Sequence, residues 1–205
     1  MASDLEEKVL LCGSCYYNML RSVIEPLSIV SKESGGDLIG RKNRNSFILI
    51  NAYPLLTYKR KPKSVEYKNN TAIERLRRLD RAVNKLGGLG TRILGEYHSH
   101  VYKRDEERQR GLSKADVDFI SDEIKKLGVK YWIELVLTIK TKEYRRTEEV
   151  GEFFIPYKNK LRVILRDTPN HGYDIVMGVY KVEKEPRLRV KELKVKMRKV
   201  KVTPI

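Results

Sequence analysis

Two histidines separated by one residue, His98-Ser99-His100, close the apolar run Arg92-Ile-Leu-Gly-Glu-Tyr97. Alternate side chains of an extended strand point to one face, so both imidazoles project together. Further along, Ser113-Lys-Ala-Asp116 opens a segment whose apolar residues recur at helical spacing. An aspartate offered from a helix start to two imidazoles on a strand makes a three-ligand site with one position left for water, the arrangement that catalytic zinc needs. The chain has three histidines, and this pairing uses two of them. The third, His171, lies in a Pro-Asn-His-Gly stretch and reads as a loop residue.

Each of these residues also has a plainer reading. Ser113-x-x-Asp116 ahead of an apolar pattern is close to a capping box, which would make both residues a helix start and nothing more. Glu33 taken alone is an ordinary turn carboxylate. Glu96 is nearer in sequence and shares strand parity with His98 and His100, so geometry does not separate the two acids. Cys12 and Cys15 form a lone C-x-x-C, open to a redox pair, half a metal site or a local disulfide. The sequence around them shows no thioredoxin-like strand-then-helix context, and a structural zinc would need two more ligands. Buried helical thiols are the expectation there.

The elements that must position these groups follow from periodicity. Tyr16 to Val30 has helical spacing, with Pro26 as a kink or terminator, and Glu33 to Gly40 reads as a turn into a strand. Ser46 to Tyr53 reads as a buried strand and the charged stretch to Asn70 as a loop. Thr71 can cap a helix to about Leu86, ended by Gly87-Gly88. After the histidine strand come a polar stretch, Lys103 to Gly111, and a helix from Ser113 to about Leu127. Tyr131 to Lys140, Gly151 to Pro156, Leu161 to Arg166 and Tyr173 to Glu183 read as strands. Leu188 to Val202 alternates apolar and basic residues with two slips of phase, as an edge strand with bulges or an amphipathic arm would. Helices and strands alternate first and strands accumulate later, which predicts an α/β protein with a mixed sheet flanked by helices.

Taken together, Glu33-x-x-Gly36-x-Leu38-x-Gly40, the strand ending in His98-Ser99-His100, and Ser113-x-x-Asp116 resemble the MPN/JAMM zinc metalloprotease family, over roughly Tyr16 to Phe154. The resemblance implies a three-layer α-β-α fold, related to the cytidine deaminases, with a mixed, curved sheet and one Zn2+ per chain. His98, His100 and Asp116 would be the metal ligands, Glu33 the general acid/base, and Ser113 the residue that steadies the oxyanion. It also implies an isopeptidase that releases a ubiquitin-like modifier from lysine. Zinc lowers the pKa of bound water to about 7 and polarises the scissile carbonyl. A carboxylate in reach of that water moves its proton to the leaving amine. One departure is plain: twelve residues, Val101 to Leu112, separate His100 from Ser113, longer than the family's loop, and Val101 stands where the family has proline. This charged insertion can be a lid, a contact for the modifier, or a solvated loop extension.

Composition bounds the rest. Two hundred and five residues at 40% hydrophobic suffice for one cored domain, read as residues 1–183, with a basic strand or arm over 184–205. The net charge is +16, of which +11 comes from Pro54–Asn70 and Lys184–Ile205. Such patches attract polyanions, so nucleic-acid binding, like a metal-free scaffold role, is an alternative function. The single glutamine, Gln109, and the 34% charged residues suit a heat-adapted, archaeal-type protein. No secretory leader and no apolar run of roughly 18 residues is present, so a cytoplasmic enzyme is expected.

Overall fold

The two longest strands, Tyr131–Glu143 and His171–Glu183, pair antiparallel along their full length, from His171 beside Glu143 to Glu183 beside Tyr131. The computed structural model describes residues 7–27, 34–54, 58–61, 64–67, 78, 82, 90–102, 111–143, 151–168, 170–184 and 186–198. The described elements, in chain order, are β1 (Lys8–Leu11), α1 (Gly13–Leu27), β2 (Gly35–Asn43), β3 (Ser46–Pro54), β4 (Tyr58–Lys61), β5 (Ser64–Tyr67), β6 (Arg92–Tyr102), α2 (Lys114–Leu127), β7 (Tyr131–Glu143), β8 (Gly151–Tyr157), β9 (Lys160–Thr168), β10 (His171–Glu183) and β11 (Arg189–Met197). Seven strands close on themselves in the order β11-β1-β3-β2-β6-β7-β10, because β11 pairs with β10 as well as with β1. Strands β9 and β8 continue outward from β10, and β4 with β5 forms a separate hairpin.

The chain therefore does not adopt the three-layer α-β-α, cytidine-deaminase-like arrangement that the motif implied. It is a mostly β protein built on a closed mixed barrel, with two helices among the described elements. The C-terminal segment decides this. Strand β11 runs parallel to β1 and antiparallel to β10, so a sheet expected to stay open between helical layers is shut by its own last strand. Far from being an edge or an arm, Arg189–Met197 has a neighbour on each side, burying Leu193 and Val195 while Lys191 and Lys196 stay exposed. The sheet branches within β10: His171–Met177 pairs with β9, whereas Val179–Glu183 pairs with β11.

Burial follows the two-residue period of the strands. Along β7, Ile133, Leu135, Leu137 and Ile139 face the barrel interior together with Phe47, Leu49, Ile175, Met177 and Val179. Helix α1 joins this core through Cys15, Met19 and Val23, residues one turn apart that form a single helical face. The other face of β7 and β10 is covered separately: Trp132 and Val182 pack under Ile120 and Ile124 of α2. Both sides of β7 are thus shielded, and its sequence is correspondingly apolar throughout.

Several expectations shift in detail. The strand β1 was not expected, being four residues long, and it puts Cys12 between a strand and a helix and Cys15 in the first turn of that helix. Part of the charged stretch read as a loop forms the β4–β5 hairpin. His171 opens β10 instead of sitting in a loop, its backbone N–H donating to Thr168 Oγ1 at 3.1 Å. Of the helix expected over 71–86, Arg78 and Ala82 are helical and the remainder lies outside the described residues. Among the described residues no helix is long and apolar enough to cross a membrane.

Charged groups from β2, β10 and the residue ahead of β1 cluster together. Lys181 Nζ lies 2.7 Å from both Glu7 Oε2 and Glu183 Oε1, and Lys42 Nζ lies 3.6 Å from Glu7 Oε1. Burial opposes ionisation of Glu7, but the Lys181 bond and the Lys181 and Lys42 charges outweigh it and hold the carboxyl below its ordinary 4.5. Burial likewise opposes the charge on Lys181, and Glu183 and Glu7 overcome it, raising the ammonium above its ordinary 10.5. A carboxyl with a depressed folded pKa stabilises the protein above its unfolded value and loses that contribution as pH falls through the folded one. The stability gap between wild type and Lys181→Met, read from urea midpoints, is therefore expected to narrow on moving from neutral pH to below pH 4.5. An unchanged gap would show that the Glu7 pair contributes nothing to acid stability.

Candidate metal centre

Strand β6 carries both histidines on the outer face of the barrel, because Tyr97 and Ser99 between and beside them point inward and are buried. Tyr97 packs in the main core, its hydroxyl 2.7 Å from Ser22 Oγ of α1. This leaves His98 and His100 facing the start of α2. His98 Nε2 lies 3.1 Å from His100 Nε2 and 3.8 Å from Asp116 Oδ1. One donor atom from each of the three residues falls within 4.8 Å of the others, a group able to hold a metal ion.

Asp116 reconciles its two sequence readings by using its two oxygens differently. Ser113 is the N-cap of α2: its backbone N–H donates to Asp116 Oδ2 at 2.6 Å, and Asp116 N–H donates to Ser113 Oγ at 3.1 Å. This reciprocal box satisfies two N–H groups the helix start would otherwise leave unpaired. Oδ1 is the oxygen turned toward His98. The cap is what orients the prospective ligand. Ser113 accepts the Asp116 N–H, and its own O–H remains a donor.

Sequence reasoning missed Glu134. It lies on β7, and its Oε1 sits 2.7 Å from His98 Nδ1. With Nδ1–H donated to that carboxylate, the lone pair of a neutral His98 is on Nε2, the atom facing His100 and Asp116. The signal was a single carboxylate inside Tyr131-Trp-Ile-Glu-Leu-Val-Leu-Thr-Ile139, an otherwise apolar run. Burial pushes the Glu134 carboxyl above its ordinary 4.5; the His98 bond and charge work against this, Asp116 adds to it, and the Trp132 indole N–H favours the charged form. Asp37, Glu96 and Glu134 form one row across β2, β6 and β7, all buried. Glu134 reaches His98 from this row.

The remaining expected residue, Glu33, lies outside the described residues, as does 103–110 of the charged insertion. The residue following Glu33 is well placed. Ser34 N–H donates to Ser99 Oγ at 2.8 Å, and Ser99 N–H donates to the Ser34 carbonyl at 2.8 Å. Gly35 then stands opposite His98 in the β2–β6 ladder. Ser34 is thus pinned to the residue between the two histidines.

The donor set suits a small divalent ion. Two ligands at the usual zinc distances in a tetrahedron stand about 3.3 Å apart, against 3.1 Å and 3.8 Å for the two pairs that involve His98, with all three donor atoms within 4.8 Å of one another. Imidazole and carboxylate donors, a carboxylate behind one histidine, and two nearby negative charges to offset a dication all fit zinc chemistry. For the capping half of Asp116, Asp116→Ala is expected to lower stability by about 1 kcal/mol, whereas Asp116→Asn keeps an acceptor for Ser113 N–H and should retain most of it. Equal losses in thermal unfolding would mean that the carboxylate charge, not the cap, sets the stability.

No protein-family model matches this sequence, and no curated protein matches it. Among solved structures the chain is similar to the solution structure of protein DSY2949 from Desulfitobacterium hafniense, with a TM-score of 0.51 over 94% of each chain at 17% identity. At that identity the likeness concerns the fold alone.

Proposed function

We propose that this protein is a zinc-dependent peptidase, acting on peptide or isopeptide bonds and in particular on the bond joining a ubiquitin-like modifier to lysine, as a cytoplasmic enzyme. The observation that carries the reading is the convergence of His98, His100 and Asp116, from two separate elements, with Glu134 behind His98. The MPN/JAMM resemblance contributes the order of the motif. It contributes nothing through the fold, because the barrel is not the architecture it implied.

His98, His100 and Asp116 would hold the metal, which when bound supplies Lewis-acid polarisation and an activated water. Glu134 holds the His98 ring in the tautomer that leaves Nε2 free to ligate. Glu33, one residue before the Ser34–Ser99 bonds, is the general base that takes a proton from water and returns it to the leaving amine. Ser113 keeps its O–H to donate where negative charge builds on the substrate carbonyl. Substrate cannot add as a strand beside His98, since β2 and β7 occupy both edges of β6 there.

Elemental analysis of untagged protein is expected to read about one zinc per chain in the wild type and little in His98→Ala or Asp116→Ala. Glu134→Gln should weaken zinc binding by about 10- to 100-fold in a chelator competition. Glu33→Gln should keep the zinc and lose at least about 10²-fold in cleavage of a modifier–lysine conjugate. Wild type that takes up no zinc after reconstitution would reduce the centre to a capped helix beside a histidine-bearing strand. Zinc uptake with undiminished cleavage by Glu33→Gln would remove Glu33 from the mechanism.

A further inference from the structure

Cys12-Gly-Ser-Cys15 occupies the junction where β1 ends and α1 begins. Cys12 is the residue before the helix: its N–H donates to the Leu49 carbonyl at 2.9 Å, and its own carbonyl accepts from Tyr16 N–H at 3.0 Å, the first helical bond. Cys15 lies in the first turn, fully buried in the main core beside Met19 and Val9. Both are free thiols here. Positions three apart at a helix start have Cα atoms on the order of 5 Å apart, inside the window of about 4.4–6.8 Å that a disulfide spans.

The two sulfurs differ in a way that assigns them different tasks. Cys12 is partly exposed, and its Sγ accepts from Arg198 Nη1 at 3.9 Å. Arg198 is itself tied down, its backbone N–H donating to the Leu11 carbonyl at 2.9 Å immediately after β11. A guanidinium and the partial positive charge of a helix start therefore meet any negative charge that develops on Cys12. Gly13 and Ser14 beside it are exposed, and no described atom lies within 4 Å of where a Gly13 side chain would begin, so among the described residues nothing covers that side. Cys15 is shut away below, its thiol pushed up by burial and then by its neighbour Cys12.

We propose that Cys12 and Cys15 form a thiol–disulfide exchange site, in which Cys12 attacks a disulfide-bearing substrate and Cys15 resolves the intermediate. The Cys12 thiolate attacks one sulfur of R–S–S–R′, forming Cys12–S–S–R and releasing R′–S⁻. Cys15 then gives up its proton to that departing thiolate and attacks Cys12 Sγ, releasing R–S⁻, which takes a proton from water. Two electrons pass from the protein dithiol to the substrate disulfide, and the protein is left with a Cys12–Cys15 bond. The reverse cycle needs a dithiol or two monothiols as reductant. Neither cysteine touches the histidine centre, so this inference stands apart from the peptidase reading.

The test incubates the full chain in buffers of oxidised and reduced glutathione, quenches with acid, alkylates and weighs the protein by mass spectrometry. Wild type is expected to close the Cys12–Cys15 disulfide and retain no glutathione. Cys15→Ala should retain one glutathione, on Cys12, and Cys12→Ala none under the same exposure. Arg198→Gln should slow modification of Cys12 several-fold, by a margin that shrinks as salt is added. Wild type that stays reduced in the oxidising buffer, or that holds glutathione on Cys12 without closing, overturns the proposal. If Cys15→Ala fails to fold, the wild-type masses alone decide, because the closed disulfide and the glutathione adduct differ in mass.

Discussion

The pairing of β6 with β7 is the constraint from which the candidate centre follows. These strands run parallel, with Gly95 beside Ile133, Glu96 beside Glu134 and His98 beside Val136. A side chain on Gly95 would begin 1.7 Å from the Ile133 carbonyl oxygen, so the close approach of the two backbones requires glycine at that position. A slip of one residue would send every side chain of β6 to the opposite face. His98 and His100 would then enter the apolar interior, Tyr97 would leave it, and Glu134 would lose the imidazole it holds. Register here is specified by hydrophobic burial on the inner face, and the polar site on the outer face inherits its geometry from that burial.

The same economy appears at the start of α2. Asp116 spends one oxygen on closing a helix cap and presents the other to His98. A side chain with both roles is held more rigidly than a surface aspartate, since rotating away from His98 would also break the cap. On the opposite wall, paired hydrogen bonds between Ser34 and Ser99 fasten β2 to the segment between the histidines. The centre is therefore braced by three backbone-anchored devices: a strand ladder, a capping box and a serine pair. Preorganisation of this kind is what a metal site requires, because the cost of gathering the ligands has been met in folding.

Closure of the barrel gives the molecule two chemically distinct surfaces of one sheet. The inner face, packed against α1 with its Cys15, is largely apolar, with Lys181 paired to Glu7; the outer face, crossed by α2, carries the row Asp37, Glu96 and Glu134 and both histidines. Because β11 supplies the last wall, Arg198 at its end is brought beside Cys12 at the end of β1, residues far apart in the chain. The basic C-terminal segment, whose charge alone suggested an arm for polyanions, is first of all a structural strand.

Local order was legible in the sequence. The strand ending in His98-Ser99-His100, the cap at Ser113, the helix to Leu127 and the strands that follow can each be read from periods of 2.0 and 3.6 and from turn chemistry, because those signals lie within a few residues of one another. The two histidines and the aspartate could be named for the same reason. Which strands become neighbours could not be read, since pairing depends on contacts between residues from 36 positions apart, as for His98 and Glu134, to 186, as for Cys12 and Arg198, that no local pattern encodes. Thus barrel closure by β11, the Glu134 carboxylate behind His98, and the meeting of Arg198 with Cys12 were decided only by tertiary structure. Side-chain chemistry is written residue by residue, but the partner of each side chain is set by the register and closure of the sheet.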